Sequence, residues 1–310
     1  RDDVKSLREL TEYAVARHFP YLTSIGDSKI IDFLNEVINK QIQLVVQWLR
    51  VGFIHGVMNT DNTAISGETI DFGPCAMMGI YHPGTVFSSI DRKGRYAFAN
   101  QSRIAQWNMA RLAECLLLLL QENKYNDEAQ EEYNQKMVEQ IEQIISEFSV
   151  QFEQAYQQMM AKKLGLLTKN SHVQVDRENI VNQLLSIMQE QQLDYTDTFN
   201  QLTQSLTDDE MTIQLNVNLQ PWYKIWRSML ADAELNEQHN LLSAQQLMSK
   251  NNPVVIPRNH HMERLLIGCE LNQNVTELTK FIEVIRSPYK LTADTQIYQD
   301  LPDDGDKGYR

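Results

Sequence analysis

The sequence predicts a mainly α fold with one small β-hairpin. Glycine and proline are scarce, 12 and 8 of 310 residues, so few positions interrupt a helix. Apolar residues recur at intervals of three and four along most of the chain. That spacing lapses between residues 52 and 75, where two short β-prone stretches flank a turn. With 42% hydrophobic and 22% charged residues, the chain can bury a real core and is not a disordered polymer.

The elements follow in order. Val4, Leu7, Leu10 and Val15 mark a helix over Asp3–His18, stopped by Pro20. Asp27 is placed to cap a long amphipathic helix over Ser28–Val51, which Gly52 ends. Thr63–Ile65 and Thr69–Phe72 read as the arms of a hairpin around Ser66-Gly67-Glu68. A loop with Gly and Pro covers Gly79–Gly94, and helix resumes over Gln101–Gln121. A second long helix, Asn126–Lys163, carries Tyr133, Met137, Ile141, Phe148, Phe152 and Met159 on one stripe and ends before Gly165. Ordinary helices are predicted at Asp176–Gln192, Thr196–Leu206, Pro221–Asn236, Ser243–Lys250, His260–Leu271 and Thr276–Arg286. The expected organisation is a core over residues 1–121 with a helical region over 122–310 packed on it.

Composition narrows the function. The formal net charge is -13, which argues against a surface that tracks nucleic-acid phosphates. Three separated cysteines, Cys75, Cys115 and Cys269, read as a reducing compartment without a disulfide framework. No apolar run approaches the roughly 18–20 residues that span a bilayer. The expected location is therefore cytoplasmic, or mitochondrial for a eukaryotic source. The chain opens on Arg1, close to the start of a helix, and is expected to be a piece of a longer protein.

The chemistry concentrates in His55-Gly56-Val57-Met58-Asn59-Thr60-Asp61-Asn62 and Thr69-Ile70-Asp71-Phe72-Gly73-Pro74. A hairpin between them would return Asp71 towards Asn62. An amide oxygen and a carboxylate converging there make an all-oxygen site suited to Mg²⁺ or Mn²⁺ with substrate phosphates. Asp61 beside it can accept a proton from a hydroxyl nucleophile. Helix, polar loop, hairpin and Asp-Phe-Gly is the layout of the C-terminal lobe of a protein-kinase-like fold. Protein kinases, however, separate their catalytic-loop Asp and Asn by four residues, whereas Asp61 and Asn62 are adjacent.

The segments HGVMNTDN (55–62), TIDFGP (69–74), GRYAFANQ (94–101), RIAQWN (103–108) and IPRNH (256–260) resemble the SelO/YdiU family of kinase-like proteins. The resemblance implies an adenylyltransferase that moves AMP from ATP to Ser, Thr or Tyr hydroxyls of protein substrates, using Mg²⁺ or Mn²⁺. It implies Asp61 as proton acceptor and Asn62 and Asp71 as metal ligands. It also implies a nucleotide-gripping N-terminal lobe that this chain does not contain, so this chain alone is expected to be inactive. UMP transfer, γ-phosphate transfer and a non-catalytic interaction module stand as alternative readings.

Structural roles are assigned to the other conspicuous residues. His55 reads as a buried scaffold of the loop and Asn59 as shaping it. Phe72 and Gly73 read as packing and backbone geometry. Trp107, Trp222 and Trp226 read as core. His260 and His261 read as structural, since no carboxylate or cysteine lies at ligand spacing, with Asn259 capping the helix behind them. Asn274-Val275-Thr276 reads as a glycosylation sequon on paper only, given the reducing context, and the Asp303, Asp304, Asp306 tail as solvated rather than a calcium loop.

Overall fold

A computed structural model describes residues 3–121, 127–166, 172–207, 216–234, 241–272 and 275–302. The expectations for Asn274 and for the tail from Asp303 lie outside them. The chain divides into two compact units, each assembled from separate stretches. Both are mainly helical.

The first unit takes Arg1–Val46, Val57–Phe72 and Asn100–Ala155. Asp3 caps α1 (Val4–His18), its carboxylate accepting from the Ser6 amide at 2.9 Å. Helix α2 (Gly26–Val51) starts two residues before Ser28. Asp27 therefore lies in its first turn, where a negative charge is favoured, and its carboxylate accepts from the Tyr133 hydroxyl. The α2 stripe of Ile30, Leu34, Val37, Ile38 and Val45 is buried. So are Ile104, Met109, Leu116 and Leu120 of α3 (Gln101–Leu120). In α4 (Asp127–Lys163), Met137, Ile141, Phe148 and Phe152 are buried, as their spacing requires. Arg8 ties α1 to α3 through the Leu119 carbonyl at 3.1 Å.

The hairpin expected within residues 63–72 does not form; neither stretch is strand. Asp71 has φ +53°, a left-handed conformation that breaks an extended run. On the first arm, the Ala64 carbonyl accepts from the Gln41 side chain at 2.7 Å and the Thr63 hydroxyl donates to the Asn59 carbonyl at 3.0 Å. Those groups are thus committed to side-chain bonds. The turn itself survives, with the Gly67 amide on the Ala64 carbonyl at 3.0 Å. Among the described residues one small sheet forms further out: β1 (Phe53–Ile54) pairs antiparallel with β2 (Ala76–Met77), Phe53 opposite Met77 and Ile54 opposite Ala76.

The second unit takes Gln47–Gly56, Gly73–Ala99 and Tyr156–Arg310. It holds the β1–β2 pair and the end of α4, where Gly165 (φ +70°) closes a Schellman motif: the Leu166 amide reaches the Ala161 carbonyl at 2.8 Å. Next come α5 (His172–Glu190) and α6 (Tyr195–Gln204). Helices Gln220–Glu234, Leu241–Asn251, Asn259–Asn272 and Thr276–Ile285 follow, with a final turn at Ala293–Gln296. Helix α5 starts four residues before Asp176, because no Gly or Pro between His172 and Asp176 fixes a start. Trp222 and Trp226 are core, stacked with centroids 5.7 Å apart; their indoles donate to the Ile180 and Leu164 carbonyls. Lys163 is buried too. It donates to the Arg50 carbonyl at 2.8 Å and lies 4.0 Å from the Phe199 ring centroid. Burial, helped by the Arg50 charge, pushes its ammonium well below the usual lysine value.

Arg258 of the IPRNH segment makes a bidentate ion pair with Asp194, at 2.7 and 3.1 Å, with side chains only 5% and 3% exposed. Asp194 also caps α6 through the Asp197 amide at 2.7 Å. Removing one partner of a buried pair strands the other charge, at a cost of about 3–5 kcal/mol. Arg258→Ala is therefore expected to lower unfolding free energy by about that amount, measured by urea denaturation. Arg258→Lys recovers only part, since an ammonium cannot form the fork. A loss below about 1 kcal/mol, the scale of an exposed pair, would contradict the structural role.

Candidate active site

The polar loop is built from its flanks inward. Gly56 has φ +86°, and a Cβ there would sit 2.8 Å from the Pro74 carbonyl oxygen, so no other residue fits this approach without a shift. Just before it, His55 is fully buried, its ring 5.3 Å from Trp48 and 6.4 Å from Phe53, the structural role the sequence indicates. Met58 is buried at 3% exposure and anchors the loop in the core of the first unit. Asn108 of α3, also 3% exposed, donates through Nδ2 to the Met58 carbonyl (3.1 Å) and the Thr63 hydroxyl (2.8 Å). It thereby holds both ends of the segment that bears the candidate residues.

That segment is a single 3₁₀ turn, Thr60–Asn62, closed by the Asn62 amide on the Asn59 carbonyl at 3.0 Å. Asp61 is exposed and Asn62 half-buried. The Asn62 side chain donates Nδ2 to the Val57 carbonyl at 3.1 Å. This bond fixes the amide and leaves Oδ1 as its open face. Asp71 lies nine residues on, exposed, in its left-handed conformation. All three residues belong to the first unit. Among the described residues, no hydrogen bond or ion pair engages the Asp61 or Asp71 carboxylate. An open amide oxygen and an open carboxylate are the hard donor types that Mg²⁺ or Mn²⁺ prefers, but among the described residues no hairpin returns Asp71 to Asn62.

The sequence profile described as "Protein adenylyltransferase SelO" matches residues 1–286 of this chain. The chain belongs to the SelO family. A protein nucleotidyltransferase YdiU of Teredinibacter turnerae is 42% identical over 98% of the chain. Proteins of the same name from Clostridium perfringens and Bacillus thuringiensis are 41% and 38% identical, over 99% and 100% of it. The chain covers 59%, 58% and 59% of the length of these three relatives. Two SelO-like segments quoted above gain physical roles from the structure: RIAQWN supplies the loop-holding Asn108 and IPRNH the buried Arg258. Neither role was read from the sequence. The available signal was an amide, Asn108, on the face that carries the apolar positions Ile104 and Ala105 of α3, which also holds the buried Gln101.

Other expectations need correction. Phe72 is 62% exposed and Ile70 39%, so neither side chain belongs to the core. Asp71 is left-handed within the Asp-Phe-Gly stretch, a conformation its short polar side chain tolerates. Trp107 is 41% exposed, with the Arg111 guanidinium 5.2 Å from its ring centroid, because it points away from the buried face of α3. Asn259 is the first residue of its helix and donates to the Met77 carbonyl at 3.3 Å. A carboxylate does reach the histidine pair. Asp300 lies 2.7 Å from His261 Nε2 and 3.4 Å from His260 Nε2, brought from 39 residues beyond His261 by the fold.

No described helix is long and apolar enough to cross a membrane.

Proposed function

We propose that the intact protein transfers AMP from ATP to Ser, Thr or Tyr hydroxyls of other proteins, and that the Asp61–Asn62 turn with Asp71 is the reacting end of its site. The supporting observation is the presentation of these groups within a SelO-family chain: one short turn holds Asp61 and Asn62 side by side, with the carboxylate and the amide oxygen both open. In this reading, a target hydroxyl attacks the α-phosphorus of ATP, forming the new O–P bond as the bond to pyrophosphate breaks. Asp61 accepts the hydroxyl proton. Asn108 contributes by holding Met58 and Thr63, so the turn keeps its shape as the proton moves. Asn62 and Asp71 would hold Mg²⁺ or Mn²⁺, which supplies positive charge against the phosphate oxygens in an acidic protein.

The test is mass spectrometry of the modified hydroxyl after incubation with an equimolar mixture of ATP and UTP. An adenylyl adduct is expected. A uridylyl adduct would replace the nucleotide, a phosphoryl adduct would replace the reaction, and an unmodified protein after exhaustive search would leave an interaction module.

A further inference from the structure

We infer a second, separate cation site of a different kind, built from His260, His261 and Asp300 and suited to a divalent transition ion of the Zn²⁺ class. The two histidines open the helix Asn259–Asn272, and Asp300 follows the turn Ala293–Gln296. One donor atom from each residue lies within 4.8 Å of the others, the only such group of three among the described residues. The imidazole rings face each other at 4.1 Å between centroids. His261 Nε2 lies 2.7 Å from Oδ1 and His260 Nε2 3.4 Å from Oδ2 of the same Asp300 carboxylate, on the scale of the roughly 3.3 Å ligand–ligand edge of a tetrahedral ion with ~2.0–2.1 Å bonds. Small side-chain shifts are enough to admit one.

Two further observations point to a ligand and not to a hydrogen bond alone. Both ring nitrogens of His260 and Nδ1 of His261 are buried without a hydrogen-bond partner among the described residues. Buried polar atoms are ordinarily satisfied, and an ion coordinated by Nε2 of both rings would satisfy the orphaned Nε2 of His260. The site also has an inside and an outside. The His261 side chain is 6% exposed and packs against Tyr298, itself part of a core cluster with Val255, Leu265 and Phe281. Asp300 is 60% exposed. An ion can therefore enter past the carboxylate, with its fourth position left to water.

The donor set decides the class. Two imidazoles and one carboxylate favour Zn²⁺, Co²⁺, Ni²⁺ or Cu²⁺ over Mg²⁺, which prefers oxygen ligands and retains its waters. The oxygen-only pair Asn62 and Asp71 is the opposite case, so the two sites select different ions. Bound metal would fasten the segment around Asp300 to the helix that carries the histidines.

Titration of the tag-free protein with Co²⁺, followed by visible absorption, tests this. One equivalent is expected to give the intense bands of a tetrahedral ion, to be displaced by one equivalent of Zn²⁺ and to persist in excess Mg²⁺. Asp300→Asn preserves the shape of the exposed side chain and should weaken binding by more than about tenfold, as should His260→Ala. Zn²⁺ should raise the Tm of the wild type and leave that of both variants unchanged. The inference is overturned by no saturable absorption, by equal affinity in wild type and variants, or by a thiolate charge-transfer band placing the ion on a cysteine.

Discussion

Asp61→Ala in the intact protein is expected to lower AMP transfer by about 10²–10⁴-fold, the usual contribution of a positioned general base, with nucleotide affinity near wild type. The side chain is exposed and makes no hydrogen bond or ion pair among the described residues, so its removal leaves no stranded partner. The turn is closed by the backbone of Asn59 and Asn62 and by Asn108, none of which depends on the Asp61 carboxylate. Loss of rate with intact binding and an unchanged thermal transition is thus the signature of proton acceptance. Single-turnover measurement with labelled ATP separates the chemical step from binding. Wild-type turnover in the variant would mean that another group, or solvent, takes the proton.

Replacement of Asp71 should act on binding instead. Its carboxylate is the sole charged donor of the oxygen pair, so Asp71→Asn and Asp71→Gly are each expected to abolish the metal-dependent part of nucleotide binding in a calorimetric titration with Mg²⁺ and ATP. Stability divides the variants. With φ +53°, position 71 sits where Gly is free, Asn and Asp are tolerated through their short polar side chains, and a residue such as Ala is strained by about 1–2 kcal/mol. Asp71→Gly relieves that strain but adds freedom to the unfolded chain, so it should stay within about 1 kcal/mol of wild type. A variant that is stable but cannot bind separates a metal role from a folding role. Unchanged binding and activity in Asp71→Gly would remove Asp71 from the site.

Much of this molecule is legible in its sequence, and the divide is physical. Helices were found because an apolar stripe repeats locally: Ile30, Leu34 and Ile38 announce α2, and Phe148 and Phe152 announce α4. Local chemistry also singled out Asp61, Asn62 and Asp71 as candidates, and it anticipated the buried place of His55. The misplaced hairpin shows the limit of a short period-two pattern. A few β-prone residues around a Gly turn do not reveal that Asp71 is left-handed, or that Gln41 takes the Ala64 carbonyl. The pairings that matter most are distant. Arg258 and Asp194 stand 64 residues apart, Asn108 and Met58 50, and His261 and Asp300 39. No spacing rule reaches across such separations, so the sequence marks none of these pairings. Phe72 and Trp107 failed in the opposite sense: aromatic character alone assigned them to a core that does not cover them.

The Asp61–Asn62–Asp71 group is proposed to serve nucleotidyl transfer. The most direct measurement is paired labelling: the intact protein and a protein acceptor are incubated with Mg²⁺ or Mn²⁺ and ATP labelled at either the α- or the γ-phosphate, alongside Asp61→Ala. Label retained on protein from α-labelled ATP only, and lost in the variant, is the predicted result. Label retained from γ-labelled ATP would show that the same residues move a phosphoryl group, and the proposed reaction would be wrong.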